Sequence, residues 1–268
     1  MLSTTRLAAA ALCALVLGSG SAIAAQCGNT AAGFDAWKQQ FAQEAQAQGV
    51  GQRGLQALMA TSYNQDTINA DRNQKSFRYS LDKFMQIRGA DTIVAQGRQR
   101  KAQNPQLYAA LEQRYGVPAG VLIAIHGMET GFGGFMGNSN VVSAITTLAY
   151  DCRRSGFFTP HAMGALMMVD RGMISPNARG AKHGELGHTQ FLPGNALRYG
   201  VDGNGDGRAD LTNEVDALAS TANFLRQKGW RPGAGYQQGQ ANFGVIQQWN
   251  AATVYQQAIA IMASRIDG

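Results

Sequence analysis

From Val117 to Glu129 the chain is almost continuously apolar, VPAGVLIAIHGME, and it is stopped by Gly131, Gly133 and Gly134. Pro118 stands in the first turn, where its missing N–H costs nothing, and the spacing predicts a helix over 119–129. A helix this apolar requires a substantial core. A chain of 268 residues with 45% hydrophobic and only 15% charged residues can build one, as one large domain or two small ones. A wholly disordered chain, a coiled coil and a membrane bundle are excluded. Leu122, Ile125 and Glu129 fall on one face of the helix, which aims the acid inward with the apolar side chains. Glu129 also stands in the last turn, where the negative end of the helix dipole opposes ionisation. Desolvation and the dipole both raise its pKa, which suits a general acid that still holds its proton near neutral pH. Geometry alone also allows Glu129 to snorkel to water or to pair with an arginine.

The formal net charge of +6 is modest and spread along the chain, so it favours acidic surfaces or anionic polymers only weakly and indicates no nucleic-acid partner. Residues 1–24 have the form of an export signal: Arg6, an apolar run from Leu7 to Leu17, then small residues ending Ala22-Ile23-Ala24. The apolar run falls short of the roughly 20 residues a bilayer core needs, and no later stretch qualifies. Cleavage is expected after Ala24. Cys27, close behind an apolar segment, invites a lipid anchor, but Ala24-Ala25-Gln26 lacks the usual small residue directly before the cysteine. Cys13 leaves with the signal, and Cys27 and Cys152 remain in an oxidising compartment. They either pair, closing a long loop worth ~4 kcal/mol, or remain two separate buried thiols.

Residues 34–115 read as several amphipathic helices, with Phe34, Trp37 and Phe41, and then Phe77, Leu81 and Phe84, at helical spacing. Asn104-Pro105 opens another helix through Leu107, Leu111 and Tyr115, which Gly116 ends. Further helices are expected over 141–149, 161–171, 216–227 and 243–266. Strand signals are short and few, the best lying around the Gly- and Asp-rich turn at 200–211. The fold class is therefore mainly α (α+β), with a small β element and no internal repeat. The four histidines form no H-E-x-x-H or other zinc pattern, and G-x-S-x-G, Walker and dinucleotide motifs are absent from the sequence.

Several segments, taken together, carry a resemblance. Gly116-Val117-Pro118 precedes Met128-Glu129-Thr130-Gly131-Phe132-Gly133, and Thr147-Leu148-Ala149-Tyr150 is followed by Arg153-Arg154. Next come Gly184-Glu185-Leu186-Gly187-His188-Thr189-Gln190-Phe191-Leu192-Pro193 and the loop Val201 to Gly207. The run Asp216 to Leu225, then Gly229-Trp230, Trp249-Asn250 and Tyr255 complete the order. In this wording and order the chain resembles the B-type lytic murein transglycosylases over most of its length after residue 24.

The resemblance implies a lysozyme-like catalytic core over 116–268, with a helical region over 25–115 packed on it. It implies a periplasmic enzyme that cleaves the bond between N-acetylmuramic acid and N-acetylglucosamine in peptidoglycan without water, leaving a 1,6-anhydromuramyl end. In that chemistry one glutamate, here Glu129, acts first as acid and then as base, and no cofactor is required. Gln190, Phe191, Phe224, Trp249 and Tyr255 are the implied substrate-binding residues, although a helix over 243–266 needs apolar anchors in any case. Three positions depart from the pattern. Ala181 stands where many relatives carry a serine, Phe224 where a tyrosine is expected, and Lys182 where an aromatic is common. Glu185, on a glycine-flanked loop, is a second acid or a cleft-lining residue.

Asp202-Gly203-Asn204-Gly205-Asp206-Gly207-Arg208 places oxygen side chains at the first, third and fifth positions of a calcium-type loop, glycine at the sixth and the Arg208 carbonyl at the seventh. Asn213 occupies the twelfth position, and by the resemblance Asp216 supplies the last carboxylate. The alternative is a plain Asn/Asp/Gly turn. A bound calcium would order this loop and take no part in the chemistry. The expected partners are glycan strands, with cell-wall synthases or a secretion machinery as protein partners, for a chain expected to be monomeric. Two rival activities are a muramidase that hydrolyses the same bond and a catalytically inert murein-binding module.

Overall fold

The computed structural model describes residues 25–73 and 79–268. The export segment 1–24 and Phe77 lie outside them. A short 3-10 turn at Ala31–Gly33 leads into α1 (Phe34–Ala47), α2 (Gln52–Met59), α3 (Gln65–Arg72), α4 (Leu81–Arg88), α5 (Ala90–Gln103), α6 (Pro105–Tyr115) and α7 (Ala119–Thr130). Then follow β1 (Ser139–Asn140), α8 (Val141–Tyr150), α9 (Ser155–Asp170), β2 (Arg179–Gly180), α10 (Pro193–Tyr199), α11 (Glu214–Gln227), α12 (Phe243–Trp249) and α13 (Thr253–Asp267). The mainly helical class with one small antiparallel pair agrees with the sequence.

Helix α7 is buried from Ala119 to Met128, as its composition demands, and Gly131 ends it in the left-handed region at φ 57°. It packs against α5, α6, α11 and α13. Two glycines let the neighbours close in. A methyl group at Gly120 would come within 2.3 Å of the Ala263 carbonyl on α13, and one at Gly127 within 2.5 Å of Ile93 on α5. The Gly120 N–H, otherwise an orphan of the first turn, donates to Asp267 Oδ1 at 2.9 Å.

A second apolar cluster joins Phe34, Trp37, Phe41, Leu58 and Ile68 to Ile145, Leu148, Ala162 and Leu166. Helix α8 lies between the two clusters, giving Val141 to the first and Val142 to the second. The pairing of the two cysteines, open on sequence, is a Cys27–Cys152 disulfide. It is flanked by Gly28 N donating to the Tyr150 carbonyl and Cys152 N donating to the Gly28 carbonyl, at 3.0 and 3.2 Å. With Cys27 so engaged, its sulfur is not available to a lipid.

Three sequence expectations are corrected. No strand forms over 200–211. Side chains of Asp202, Asn204, Asp206 and Asp216 take the backbone N–H groups of Gly203 to Arg208 and of Asp210, which a ladder would need. The β pair instead joins Ser139 to Gly180 and Asn140 to Arg179. The single helix expected over 243–266 is broken between Trp249 and Thr253, where Asn250 is extended and its Oδ1 accepts from Ala252 N at 3.0 Å. The helix expected to begin at His161 begins at Ser155 and runs through Pro160. Proline there removes only the bond to the Gly156 carbonyl one turn back. Among the described residues no helix is long and apolar enough to cross a membrane.

Candidate active site

Glu129, half-buried in the last turn of α7, lies on a cleft of about 280 Å³ that is also lined by Glu185, Gln190, Phe191, Phe224 and Trp249. Its Oε1 accepts two hydrogen bonds, from Tyr255 Oη at 2.6 Å and from Trp249 Nε1 at 3.1 Å. Among the described residues no protein group donates to Oε2. The break at 250–252 makes this possible, since it lets Trp249, the last residue of α12, and Tyr255, in the first turn of α13, meet on the same carboxylate. Burial raises the Glu129 pKa. The Tyr255 and Trp249 bonds and the Arg88 charge oppose that rise, while the Glu185 charge adds to it. Burial and the adjacent Glu129 carboxylate push the Tyr255 phenol well above its ordinary value, so it remains a donor.

Trp249 is held by ring edges. Its centroid lies 4.9 Å from that of Phe191 and 5.2 Å from that of Phe224, at interplanar angles of 90° and 89°. Phe191 and Phe224 are themselves buried and meet at 6.1 Å, so they border the cleft mainly as the packing that fixes the indole. Phe224 also packs edge-on against Tyr199, which fills the space around its ring.

Gln190 sits on a tight loop closed by paired bonds between Leu186 and Phe191, at 2.8 and 2.9 Å. It adopts φ 57°, uncommon for a residue with a side chain, and its Nε2 donates to the Gly187 carbonyl at 2.7 Å and the Met136 carbonyl at 3.3 Å. The loop is fastened to α7. Thr130 Oγ1 donates to the His188 carbonyl at 2.6 Å, and the His126 and His188 rings meet at 2.9 Å. His188 Nε2 faces the Thr212 carbonyl at 3.1 Å, so it carries the proton and leaves Nδ1 to accept from His126 Nε2. Burial, the neighbouring His188 and Arg100 press the His126 pKa down to about 3, so the His126 ring is neutral near pH 7.

Glu185 is tied to His183, whose N–H donates to Oε2 at 3.0 Å and whose Nδ1 lies 3.2 Å from Oε1. Ala181 lines the cleft without a hydroxyl to offer, and the Lys182 carbonyl accepts from Thr67 Oγ1 at 2.6 Å. Sequence reasoning missed Asn195 and Arg88 and named Asn250 only as the neighbour of Trp249; both asparagines line the cleft, and the Arg88 charge reaches Glu129. Asparagines have no periodic signature, and Arg88 is distant in sequence. The motif order did locate Trp249 and Tyr255, but not their donation to the acid.

In the 202–216 loop, carboxylate oxygens of Asp202, Asp206 and Asp216 lie within 4.8 Å of one another, with Asp216 fully buried. Asn204 adds an amide oxygen that accepts from Asp206 N, and Arg208 follows with its N–H on Asp206. Hard oxygen donors at this spacing fit a calcium ion. The Gly207 N–H, with those of Gly205, Asp206 and Asn204, holds the Asp202 carboxyl below its usual pKa and so keeps it anionic.

Residues 33–240 match the family model of the transglycosylase SLT domain. The membrane-bound lytic murein transglycosylase B of Escherichia coli (strain K12) is 36% identical over 123 residues, covering 45% of this chain and about a third of that protein, 34%. SltB3 of Pseudomonas aeruginosa, solved in complex with NAG-anhNAM-pentapeptide, superposes with a TM-score of 0.78 at 28% identity, over 88% of this chain and 80% of that one. Slt35 of Escherichia coli, solved in complex with calcium, shares the fold at a TM-score of 0.76 and 22% identity, over 91% and 96% of the two chains. With a family model spanning most of its length and a helical fold to match, this chain belongs to the transglycosylase SLT domain family.

Proposed function

We propose that the chain is a lytic transglycosylase that cleaves the MurNAc–GlcNAc β-1,4 bond of peptidoglycan and leaves a 1,6-anhydromuramyl end. The observation that carries this reading is Glu129: a carboxyl with a raised pKa on a cleft, anchored through Oε1 by Tyr255 and Trp249. With Oε1 engaged, the proton resides on Oε2 and passes to the glycosidic oxygen as the C1–O4 bond breaks. The muramyl C6 hydroxyl then attacks C1, and its proton returns to Glu129. The substrate's acetamido group stabilises the intermediate, so no second carboxylate is required. Gln190 is the amide positioned for N-acetyl or hydroxyl groups, and the Phe191, Phe224 and Trp249 cluster supplies an aromatic wall. Glycan fragments bound in SltB3 agree with this substrate class.

A hydrolytic reading has one observation behind it, since Glu185 lines the same cleft and adds to the Glu129 pKa. Both Glu185 oxygens, however, face His183. Digestion of purified sacculi decides between the readings. The expected products are lighter by one water than those of a muramidase. Glu129→Gln should lower turnover at least 1,000-fold, on the order of 4 kcal/mol of barrier, with the circular-dichroism spectrum unchanged. An active, folded Gln variant overturns the proposal. Binding to sacculi with no soluble fragments from the wild type would make the protein an inert module.

The same reading takes residues 1–24 as a periplasmic export signal and 25–115 as a helical region packed on a catalytic core over 116–268. It also takes the 202–216 loop as a structural calcium site held by Asp202, Asn204, Asp206, the Arg208 carbonyl and Asp216, ordering the loop ahead of α11. Slt35, of the same fold, was solved with calcium.

A further inference from the structure

The first described residues form a seated strap. The Ala25 side chain packs on the second apolar cluster, and its N–H donates to Glu44 Oε1. Gln26 N donates to Gln40 Oε1 at 2.8 Å, Cys27 is bonded to Cys152, and Gly28 bridges to Asp151. Glu44 stands in the last turn of α1, a helix with no basic residue there. At that end the helix dipole disfavours a carboxylate and favours a cation. Among the described residues no Lys, Arg or His side-chain nitrogen lies within 4.0 Å of a carboxylate oxygen of the half-buried Glu44. The carboxylate therefore faces a single neutral amide where a positive charge would fit.

We propose that export processing after Ala24 supplies that charge: the new α-ammonium of Ala25 forms an ion pair with Glu44 that fastens the strap to α1. This rests on the export reading above. An endopeptidase of the export pathway adds water across the Ala24–Ala25 peptide bond. Ala24 leaves as a carboxylate, and the Ala25 amide nitrogen becomes an ammonium with three donors in place of one. The nitrogen is already on Glu44 Oε1, so pairing needs no rearrangement of the strap, and the ammonium also answers the dipole of α1. Processing is then a maturation step that strengthens the fold as well as a removal of the signal.

The test uses the disulfide-bonded protein in four forms: authentic Ala25 start or a Gly-Ser extension ahead of Ala25, each with Glu44 or Glu44→Gln. The authentic chain should melt about 2 °C above the extended one, and Glu44→Gln should erase most of that difference. An amine-acylating reagent followed by mass spectrometry should modify the Ala25 amine several-fold faster in Glu44→Gln than in the parent. Amino-terminal sequencing of the exported protein is expected to begin at Ala25. If the exported chain begins at Ala25 but the four melts show no coupling and the two amines react alike, the ion pair is refuted and the export reading stands. A start at any other residue overturns both.

Discussion

Tyr255 and Trp249 pull Glu129 against its own burial. Desolvation favours the protonated acid, whereas two donors on Oε1 favour the carboxylate that must exist between the two proton transfers. Removing the shorter of the two bonds should therefore shift the balance in a direction that can be read from a pH profile. In Tyr255→Phe the anion loses a charge-assisted bond worth about 1.5–3 kcal/mol, so the Glu129 pKa rises further. Activity that needs the protonated acid is lost as pH rises through that pKa, and the basic limb of kcat/KM should move to higher pH. The first step now generates a less stabilised carboxylate, so kcat should fall by roughly tenfold to a hundredfold. A profile that moves to lower pH, or an unchanged kcat, would mean that the phenol does not bear on the acid.

At the scale of elements, α7 and α13 bring Glu129 and Tyr255 together, and the two helices close on each other at Gly120. The Ala263 carbonyl occupies the space a methyl group would need, so Gly120→Ala must push the two helices apart. The cost of such overpacking is about 1–3 kcal/mol, and for a chain of this size it should appear as a Tm lower by several degrees. Because α7 carries Glu129 and α13 carries Tyr255, the same substitution should lower kcat, whereas Gly244→Ala, where the added methyl meets open space, should leave both quantities near the parent. Equal behaviour of the two variants would show that this contact does not hold the site. Much of this level was legible from sequence: α6 and α7 follow from periodicity and their Pro and Gly boundaries, and α8 and α11 were expected to within two residues of their ends. The break after Trp249 was not, because Asn250 turns the chain with its own side chain in a stretch whose apolar spacing continues through it. Nor was the two-residue pairing of β1 with β2, too short to show any alternation. The His126–His188 contact joins residues 62 apart and becomes visible only once the 187–190 loop folds onto α7. Glu129 stood out as an ionisable group at the end of so apolar a helix, but that setting alone left it free to snorkel or to pair, and only the order of motifs along the chain marked it as the expected acid.

For the whole molecule, two buried neutral histidines set the response to acid. His126 ties α7 to the 187–190 loop, and His161 on α9 lies against the α10 backbone at Gly194. Burial lowers their pKa values to about 3 and about 4. The unfolded chain binds these protons first, below about pH 6.5, so stability present above that pH is lost progressively as pH falls towards the folded values. Between pH 7 and pH 5 each histidine should cost about 2 kcal/mol of unfolding free energy, readable from urea titrations at the two pH values. Glu129 acts in the opposite sense. Its folded pKa is raised, so its ionisation costs stability at high pH, and that cost is relieved as pH falls through the folded value. The wild-type slope is the difference between these opposing terms. Glu129→Gln deletes the offset and leaves the histidines, so its stability should fall more steeply from pH 7 to pH 5 than that of the wild type, while at pH 7 it should be at least as stable. Identical slopes would mean that the carboxyl is ionised at neutral pH at no cost to the fold, and with that the raised pKa on which the acid step depends would be lost.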